Sequence, residues 1–335
     1  MPKVGLLLSG DGMSLADVTE LGVSAEDAGL DSVWHVEIQR EPFVPLTAIA
    51  ARTKRIRLGT GVAIWARSPV LASLVAANLD ELSDGRFLYG LGTGPPDWNR
   101  RFHGISYERP VQRIREYVGV MRGAWKAAHD GSTFDYEGEL YRIEGYQRSL
   151  RQERERIPVF LAAVQSRMCA LAGEIADGVL FNVLSTPTYV REYALPHMER
   201  GAARAGRSVA DVERATAITA AVDPDEKTAR RWARHHIAFY SVIPYFDVMF
   251  ELHGFQREAA AIRDAAGRGD PAGMIAAVSE EMIDRFAIAG TPDRCRAQLR
   301  EWGDLDVAVL FPPTFQLEPD EIAANHRGLI ETFAA

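Results

Sequence analysis

Short apolar strands alternate with amphipathic helices along almost the whole chain, and this alternation limits the possible folds more than any other feature. Helices predicted at 15–28, 69–82 and 110–126, for example, have apolar residues at every third or fourth position. Because crossovers between parallel strands are right-handed, such units form either a closed (β/α)8 barrel or an open doubly wound sheet. An open sheet uses about six strands and would leave two without a place, so the sequence favours the (β/α)8 TIM barrel. The predicted strands are 3–8, 31–35, 56–63, 86–91, 157–162, 178–183, 213–222 and 308–311.

Two segments interrupt the alternation. Residues 129–156 are predicted to carry a small hairpin followed by a charged loop, and residues 224–290 read as mostly helical. No linker-like stretch rich in Gly, Ser or Pro divides the chain. We therefore expect residues 1–335 to form a single barrel domain with two insertions.

Composition and residue spacing exclude several functional classes. The net charge is −8 and no block of basic residues stands out, so a nucleic-acid surface is not indicated. No apolar run approaches the ~18 residues of a membrane span, and the run before Gly10 is too short for a signal peptide, so we expect a cytoplasmic protein. Cys169 and Cys295 lie far apart, and His235 and His236 are adjacent, patterns that indicate neither a disulfide framework nor a metal site.

Glycine and small polar residues collect where the predicted strands end. They occupy 59–61, 90–94 and 162–167. In a (β/α)8 barrel the chemistry lies at the carboxyl ends of the strands, and glycine within a strand marks a bulge or a close approach of the backbone. A dinucleotide fingerprint is not completed, because Pro95 takes the place of the third glycine. The pattern therefore predicts a ligand site at the barrel mouth.

Two polar groups at this end are candidates for chemistry. Glu37 follows an apolar strand, and burial at the barrel mouth would raise its pKa toward acid–base use; an ion pair with Arg40 or Arg67 is the alternative interpretation. The start of the helix after the 157–162 strand offers backbone N–H groups, together with Ser166 and Arg167, to an anion such as a phosphate. Simple capping of that helix by Ser166 is the alternative there.

Several blocks of the sequence are similar to one known family. RIRLGTGVAIWARSPVLASLVAANLDELSDGRFLYGLGTG at 55–94 closely resembles the central signature of the luciferase-like flavin and deazaflavin oxidoreductases. The blocks at 103–125 and 172–182 resemble further parts of that family. Residues 250–299 resemble the C-terminal part of the methylenetetrahydromethanopterin reductases, a branch that uses coenzyme F-420. HVEIQREPFVPLTAIAART at 35–53 resembles an actinobacterial group of F-420-dependent oxidoreductases.

The resemblance implies a bacterial-luciferase-like barrel with a cofactor at the carboxyl ends of its strands. It places a non-proline cis peptide bond in a bulge at the end of the third strand, between Gly61 and Val62, behind the deazaflavin ring. The family pattern places three groups of residues around the cofactor: Gly61, Val62 and Ala63 behind the ring; Gly92, Thr93 and Gly94 along its edge; and Ala163, Val164, Gln165, Ser166 and Arg167 on the ribityl and phosphate side, with Gly173 and Gly178 bracketing the adjoining helix.

The sequence departs from the family pattern near the reacting end of the ring. Many members have Asp-His after the second strand, whereas this chain has Glu37-Ile38, so Glu37 is our candidate acid–base residue. Trp34, Trp65 and Phe311 are candidates for the wall of the substrate pocket.

The family resemblance implies three possible functions. The first is an F-420-dependent oxidoreductase that moves a hydride between the cofactor C5 and a small organic substrate. The second is an FMN-dependent monooxygenase that uses dioxygen and needs a flavin reductase partner. The third is a non-catalytic relative that only binds a flavin or another ligand. In each case we expect a homodimer or a higher homo-oligomer, no metal, and no nucleic-acid or membrane partner.

Overall fold

The computed structural model describes residues 1–335. Its strands are β1 (Lys3–Leu8), β2 (Ser32–His35), β3 (Arg57–Thr60), β4 (Ala63–Ile64), β5 (Phe87–Gly92), β6 (Phe134–Glu137), β7 (Arg142–Tyr146), β8 (Val159–Ala162), β9 (Gly178–Phe181), β10 (Glu213–Val222), β11 (Ala287–Gly290) and β12 (Val307–Phe311). Its helices are α1 (Leu15–Asp27), α2 (Phe43–Ala50), α3 (Pro69–Leu82), α4 (Pro96–Arg101), α5 (Pro110–Asp130), α6 (Ser166–Ile175), α7 (Pro187–Tyr189), α8 (Leu195–Arg204), α9 (Glu226–Ser241), α10 (Asp247–His253), α11 (Gln256–Gly267), α12 (Pro271–Ala276), α13 (Glu280–Phe286), α14 (Pro292–Leu299) and α15 (Pro319–Thr332).

Eight parallel strands close into a barrel, which confirms the predicted fold. Their order is β1, β2, β3, β5, β8, β9, β10 and β12, and β12 pairs with β1 to complete the circle. Trp34 on β2 packs edge-on against Phe160 on β8, with ring centroids 5.3 Å apart. These two strands are not neighbours, so the contact crosses the barrel interior and fills it with side chains, as in other barrels of this size.

The third strand is broken at the position where the sequence carries its glycines. β3 ends at Thr60, the Gly61–Val62 peptide bond is cis, and β4 then pairs with the end of β5. Gly59 has a separate role, because a Cβ there would lie 2.2 Å from the Trp34 ring. That glycine therefore makes room for a core side chain.

The insertion at 224–290 ends in a strand that the sequence analysis did not predict. It contains the helices α9 to α13 and then β11, which pairs in parallel with residues 219–222 of β10. β10 is ten residues long and pairs with the shorter β9 only at 213–216, so its carboxyl end presents a free edge. β11 covers that edge.

Two buried carboxylates hold surface segments to the barrel. Glu26 accepts the backbone N–H groups of 54–56, which lead into β3. Burial opposes its ionisation, but those N–H groups hold the pKa of the Glu26 carboxyl below its usual value. Glu116 on α5 accepts the N–H groups of 139–141, so the β6–β7 hairpin is fastened to α5.

No helix in the structure combines the length and apolar character needed to cross a bilayer.

Candidate functional site

A cavity of about 960 Å³ opens at the carboxyl ends of the barrel strands. Its inner wall is formed by strand ends, and its outer end runs along α6 between residues of α5 and α8. This is the face at which barrels bind ligands, and the volume is that of a cofactor-sized site. The strand-end residues that line it include Leu7, Gly61, Val62, Ile64, Gly92 and Leu180.

Val62 and Gly92 together shape the inner wall. A Cβ added to Gly92 would lie 2.5 Å from the Val62 Cγ2 atom and 3.3 Å from the Ala162 Cβ atom. Glycine at 92 therefore leaves room for the Val62 side chain against the end of β5. The result is an apolar surface made of backbone and small side chains.

Glu37 lines the cavity and takes part in an ion pair. Its Oε2 atom accepts the Ile64 backbone N–H at 2.7 Å and an Arg67 guanidinium N–H at 2.8 Å. The side chain is 12% exposed, and its Oε1 atom makes no hydrogen bond within the protein. Of the two predicted ion-pair partners, Arg67 is the one it meets. One oxygen of the carboxylate is thus fixed and the other stays available to a ligand.

The segment after β5 is held in place by one buried amide. Asn99 on α4 accepts the Trp65 indole N–H and donates to the carbonyls of Thr93 and Pro95, at 2.7 and 2.9 Å. The Tyr107 hydroxyl donates to the Thr93 Oγ1 atom at 3.1 Å. These hydrogen bonds fix the position of Thr93 on the cavity wall.

The N-terminus of α6 leaves polar groups available for an anion. Gln165 is the N-cap residue and makes no side-chain capping bond, so Ser166 does not cap the helix. The Ser166 N–H donates to the Tyr193 hydroxyl at 3.2 Å, and the Gln165 amide donates to the Tyr245 carbonyl. Arg167 pairs with no carboxylate and lines the cavity. The Ser166 hydroxyl and the Arg167 guanidinium can therefore bind an anionic group.

A second cavity of about 810 Å³ adjoins the first. Its polar wall includes the Asp11 carboxylate, which accepts from the Thr314 hydroxyl at 2.8 Å, and the Arg40 guanidinium, which donates to the Met13 carbonyl at 2.7 Å. The two cavities share apolar wall residues, so a ligand in one lies beside a ligand in the other. The shared residues are Ile38, Phe239, Tyr240 and Phe311.

Three histidines are buried, and burial keeps them neutral. Desolvation lowers the pKa of His35 to about 4, that of His236 to about 3 and that of His326 to about 4. His236 lines the second cavity; its Nδ1 atom lies 3.0 Å from the Thr219 hydroxyl, and its Nε2 atom has no partner within the protein. It offers that cavity a neutral hydrogen-bonding group.

Most of the predicted site residues meet in the first cavity. Those that line it are Glu37, Gly61, Val62, Gly92, Thr93, Gly94, Ala163, Val164, Gln165, Ser166 and Arg167, together with Phe311. Ala63 does not, because side chains alternate along a strand and its neighbours Val62 and Ile64 face the cavity. Trp34 and Trp65 are buried behind the wall and do not line it.

Gly173 and Gly178, which the family resemblance places at the cofactor site, do not line this cavity. A Cβ on Gly173 would lie 2.0 Å from the Met198 carbonyl oxygen, so this glycine permits α8 to cross α6 closely. A Cβ on Gly178 would lie 2.2 Å from the Phe160 ring inside the barrel. Both glycines serve packing.

A group of arginines at the outer end of the cavity was not predicted from the sequence. Arg115 lies on α5 and Arg109 directly precedes that helix. Arg200 and Arg204 lie on α8. The spacing of four residues between Arg200 and Arg204 places both on one helix face, which was a usable signal. Nothing local predicts that this face meets α5 and α6.

These features define a (β/α)8-barrel protein with an elongated ligand cavity, apolar at the strand ends and cationic along α6. The model of the luciferase-like monooxygenase family matches residues 2–308. The chain therefore belongs to the luciferase-like monooxygenase family.

Individual relatives cover most of the chain. An uncharacterized protein of Mycobacterium tuberculosis is 32% identical over 85% of this chain and 86% of that protein. The 5,10-methylenetetrahydromethanopterin reductase of Archaeoglobus fulgidus is 32% identical over 83% of each chain. The structure of the coenzyme F-420-dependent tetrahydromethanopterin reductase of Methanopyrus kandleri superimposes with a TM-score of 0.85, at 28% identity over 99% of both chains.

Proposed function

We propose that the protein is an F-420-dependent oxidoreductase that transfers a hydride between the deazaflavin and a small organic substrate. The observation that carries the proposal is the division of the cavity into an apolar inner end, at Val62 and Gly92, and a cationic outer end along α6. F-420 has the same division, with a flat deazaflavin ring at one end and phosphate and glutamate groups at the other. The similarity to reductases that include an F-420-dependent enzyme supports the same cofactor.

The residues of the cavity fit this cofactor. Gly92 leaves the space beside Val62 free of side-chain atoms, so the inner wall can contact the face of a planar ring. Ser166 and Arg167, which line the same cavity, would hold the phosphate. When bound, the deazaflavin supplies hydride chemistry at its C5 atom, and the barrel orients it and excludes water.

The second cavity is the proposed place of the substrate. It shares Ile38, Tyr240 and Phe311 with the first cavity, so a substrate there would border the ring. Glu37 is the proposed acid–base residue because its Oε1 atom is free while its Oε2 atom is held by Arg67 and Ile64.

A side-by-side titration with F-420 and FMN tests the cofactor. We expect F-420 to bind with a dissociation constant in the micromolar range or below. The change in deazaflavin fluorescence on binding measures this constant. Binding of FMN with no binding of F-420 would contradict the proposal.

The role of Glu37 needs a separate test. In a turnover assay over a panel of small carbonyl, imine and alkene substrates, Glu37→Gln keeps an acceptor for the Ile64 N–H but removes the titrating group. We expect F-420 affinity close to wild type, and loss of both turnover and its pH dependence. An unchanged pH profile would show that Glu37 only holds Arg67 in place.

The second candidate is an FMN-dependent monooxygenase. The monooxygenases that give the family its name, and the anion site at Ser166 and Arg167, which also suits the phosphate of FMN, favour it. It predicts that reduced FMN with dioxygen yields an oxygenated product, and that F-420 does not bind.

We also propose that the chain forms a homodimer or a higher homo-oligomer. α3 exposes Leu71 and Leu82, which are 51% and 49% accessible and would be covered by a second copy. Light scattering after size-exclusion chromatography measures the mass; a monomer at micromolar concentration would contradict this proposal.

A further inference from the structure

Two polar side chains of the second cavity have no hydrogen-bond partner at the atom that faces it. His236 and Tyr240 lie four residues apart on α9, so they are neighbours on one side of the helix, and both line the cavity. Both residues are nearly enclosed, at 2% and 8% exposure. In His35 and His326 the unpartnered Nε2 atom is fully covered, whereas the Nε2 atom of His236 and the Tyr240 hydroxyl retain surface. Polar groups at this depth are costly unless water or a ligand pairs with them.

The contact with Thr219 determines which nitrogen of His236 carries the proton. The Nδ1 atom of His236 lies 3.0 Å from the Thr219 hydroxyl, which contacts no other polar group. Thr219 is fully buried, so its hydroxyl proton needs an acceptor, and Nδ1 is the one within reach. The ring proton is then on Nε2, and burial, which lowers the pKa of His236 to about 3, keeps the ring neutral. His236 therefore presents an N–H donor to the second cavity.

Aromatic packing holds both side chains in place. The Phe311 ring meets His236 edge-on with centroids 4.7 Å apart, and the His236 and Tyr240 rings are perpendicular at 4.9 Å. Burial raises the pKa of the Tyr240 hydroxyl, so the group stays protonated and can donate. Two neutral donors thus stand at fixed positions, where hydrogen bonds to a ligand cost little side-chain entropy.

The charge of the second cavity favours a neutral ligand with a hydrogen-bond acceptor. The wall carries one acidic residue, Asp11, and one basic residue, Arg40, so no excess of negative charge attracts a cationic iminium group. An alkene has no atom that accepts a strong hydrogen bond, and a neutral imine nitrogen has one lone pair. A carbonyl oxygen has two lone pairs and can accept from two donors.

We propose that His236 and Tyr240 bind the oxygen atom of a ketone or aldehyde substrate, and that this pair selects a carbonyl compound over an imine or an alkene. This inference rests on the proposed function, which places the substrate in the second cavity. Tyr240 lines both cavities, so an oxygen bound to its hydroxyl lies close to the cofactor site. The apolar part of the substrate would contact Ile38 and Phe311, which also line both cavities.

Binding of three matched probes tests the proposal without turnover. The probes are tetralone, dihydronaphthalene and the N-methyl dihydroisoquinolinium cation, bicyclic compounds of similar size that carry a carbonyl, an alkene and an iminium group. Ligand-observed NMR titrations give their dissociation constants, with oxidised F-420 present so that the ketone is not reduced. We expect wild type to bind tetralone about tenfold more tightly than either other probe, because two hydrogen bonds are made instead of none.

Substitutions on α9 separate the two donors from the shape of the cavity. Tyr240→Phe removes only a hydroxyl that bonds to nothing in the protein, so we expect the fold to be kept. His236→Met removes the ring donor, and His236→Gln restores an N–H donor at a similar distance from the backbone. The control is Tyr117→Phe, which removes another buried hydroxyl without a partner, outside both cavities.

We expect Tyr240→Phe and His236→Met each to bind tetralone about fivefold more weakly, the equivalent of about 1 kcal/mol for one hydrogen bond. His236→Gln should recover part of this loss, and Tyr117→Phe should bind tetralone as wild type does. Affinity for dihydronaphthalene should be the same in all variants, and affinity for F-420 should stay within about twofold of wild type.

The outcomes separate this inference from the proposed function. If wild type binds dihydronaphthalene or the cation as tightly as tetralone, or binds no probe, the oxygen site is wrong and the cofactor assignment stands on its own titration. Wild-type affinity for tetralone in both Tyr240→Phe and His236→Met, or an equal loss in Tyr117→Phe, also refutes the oxygen site. If F-420 does not bind to wild type, the proposed function fails and the carbonyl substrate with it.

Discussion

Replacing Asn99 by alanine tests whether one buried amide holds the segment between β5 and α5 against the barrel. Asn99 has no exposed surface and connects Trp65 to Thr93 and Pro95 through three hydrogen bonds. These bonds link the end of the third barrel strand to the wall of the cavity. The perturbation therefore acts on stability and on the site together.

Asn99→Ala leaves the indole N–H of Trp65, a residue that is 2% exposed, and the Thr93 carbonyl without these partners. The Pro95 carbonyl keeps the Asn99 backbone N–H at 3.1 Å. At ~1–3 kcal/mol for a buried polar group left unpaired, we expect a loss of about 3 kcal/mol in the free energy of unfolding.

For 335 residues at about 2.1 cal/mol/K each, the unfolding entropy is roughly 0.7 kcal/mol/K, so a 3 kcal/mol loss corresponds to a fall of about 4 °C in Tm. Urea unfolding followed by fluorescence measures the free energy, and F-420 titration measures the accompanying loss of affinity.

The control for this experiment is Asn78→Ala. Asn78 is exposed on α3 and makes only a 3.3 Å contact with Arg148, so its removal should cost under ~0.5 kcal/mol. If Asn99→Ala costs no more than this control, the segment is held by its packing and the hydrogen-bond argument is refuted. Asn99→Asp keeps an acceptor for Trp65 but turns a buried carboxylate oxygen toward the Thr93 and Pro95 carbonyls, and we expect it to cost at least as much as Asn99→Ala.

Three further predictions follow from the buried groups. Gly92→Ala would place its Cβ 2.5 Å from Val62, so we expect a loss of ~1–3 kcal/mol in urea unfolding and weaker F-420 binding; unchanged affinity would show that Val62 is not part of the ring site. The buried histidines have folded pKa values below the unfolded value of about 6.5, so the unfolded state takes up protons and stability is lost as pH falls from about 6.5 toward 4. His236→Gln should reduce the slope of unfolding free energy against pH in this range by about 1.4 kcal/mol per pH unit, and an unchanged slope would contradict its neutrality. Glu116→Ala removes the acceptor of three hairpin N–H groups, so limited proteolysis should cleave this variant within 134–146 faster than it cleaves Asn78→Ala. Equal cleavage rates would show that apolar contacts alone hold the hairpin.

The barrel could be predicted from sequence because its signals are local. Strands buried on both faces form short apolar runs, and the amphipathic helices between them have apolar residues at every third or fourth position. β11 could not be predicted in this way. Its four residues, Ala287 to Gly290, follow α13 directly and become a strand only because β10 is longer than β9 and leaves an edge to pair with. That edge is a property of the closed sheet and of no single segment.

Part of the candidate site could likewise be predicted from local sequence signals, and part of it could not. Residues 61–62, 92–94 and 163–167 could be located because each group lies at the end of a strand or directly after it, and all strand ends of a barrel meet at one face. Arg115 and Arg200 lie within helices far apart in sequence, so their meeting depends on how α8 docks on α6 and α6 on α5. Helix docking is set by side-chain packing, which a single sequence does not display.

The two groups of glycines explain how this docking is achieved. Gly92 meets a side chain, that of Val62, and serves the cavity directly. Gly173 and Gly201 meet backbone instead: a Cβ on Gly201 would lie 1.8 Å from the Ala170 carbonyl oxygen, as one on Gly173 would lie 2.0 Å from that of Met198. A glycine on each helix therefore permits the close crossing of α6 and α8, and Arg200 lies one residue from this crossing. Gly173 and Gly201 do not touch the cavity, yet they set how closely Arg200 and Arg204 on α8 approach α6, so helix packing and the shape of the cavity depend on the same contact.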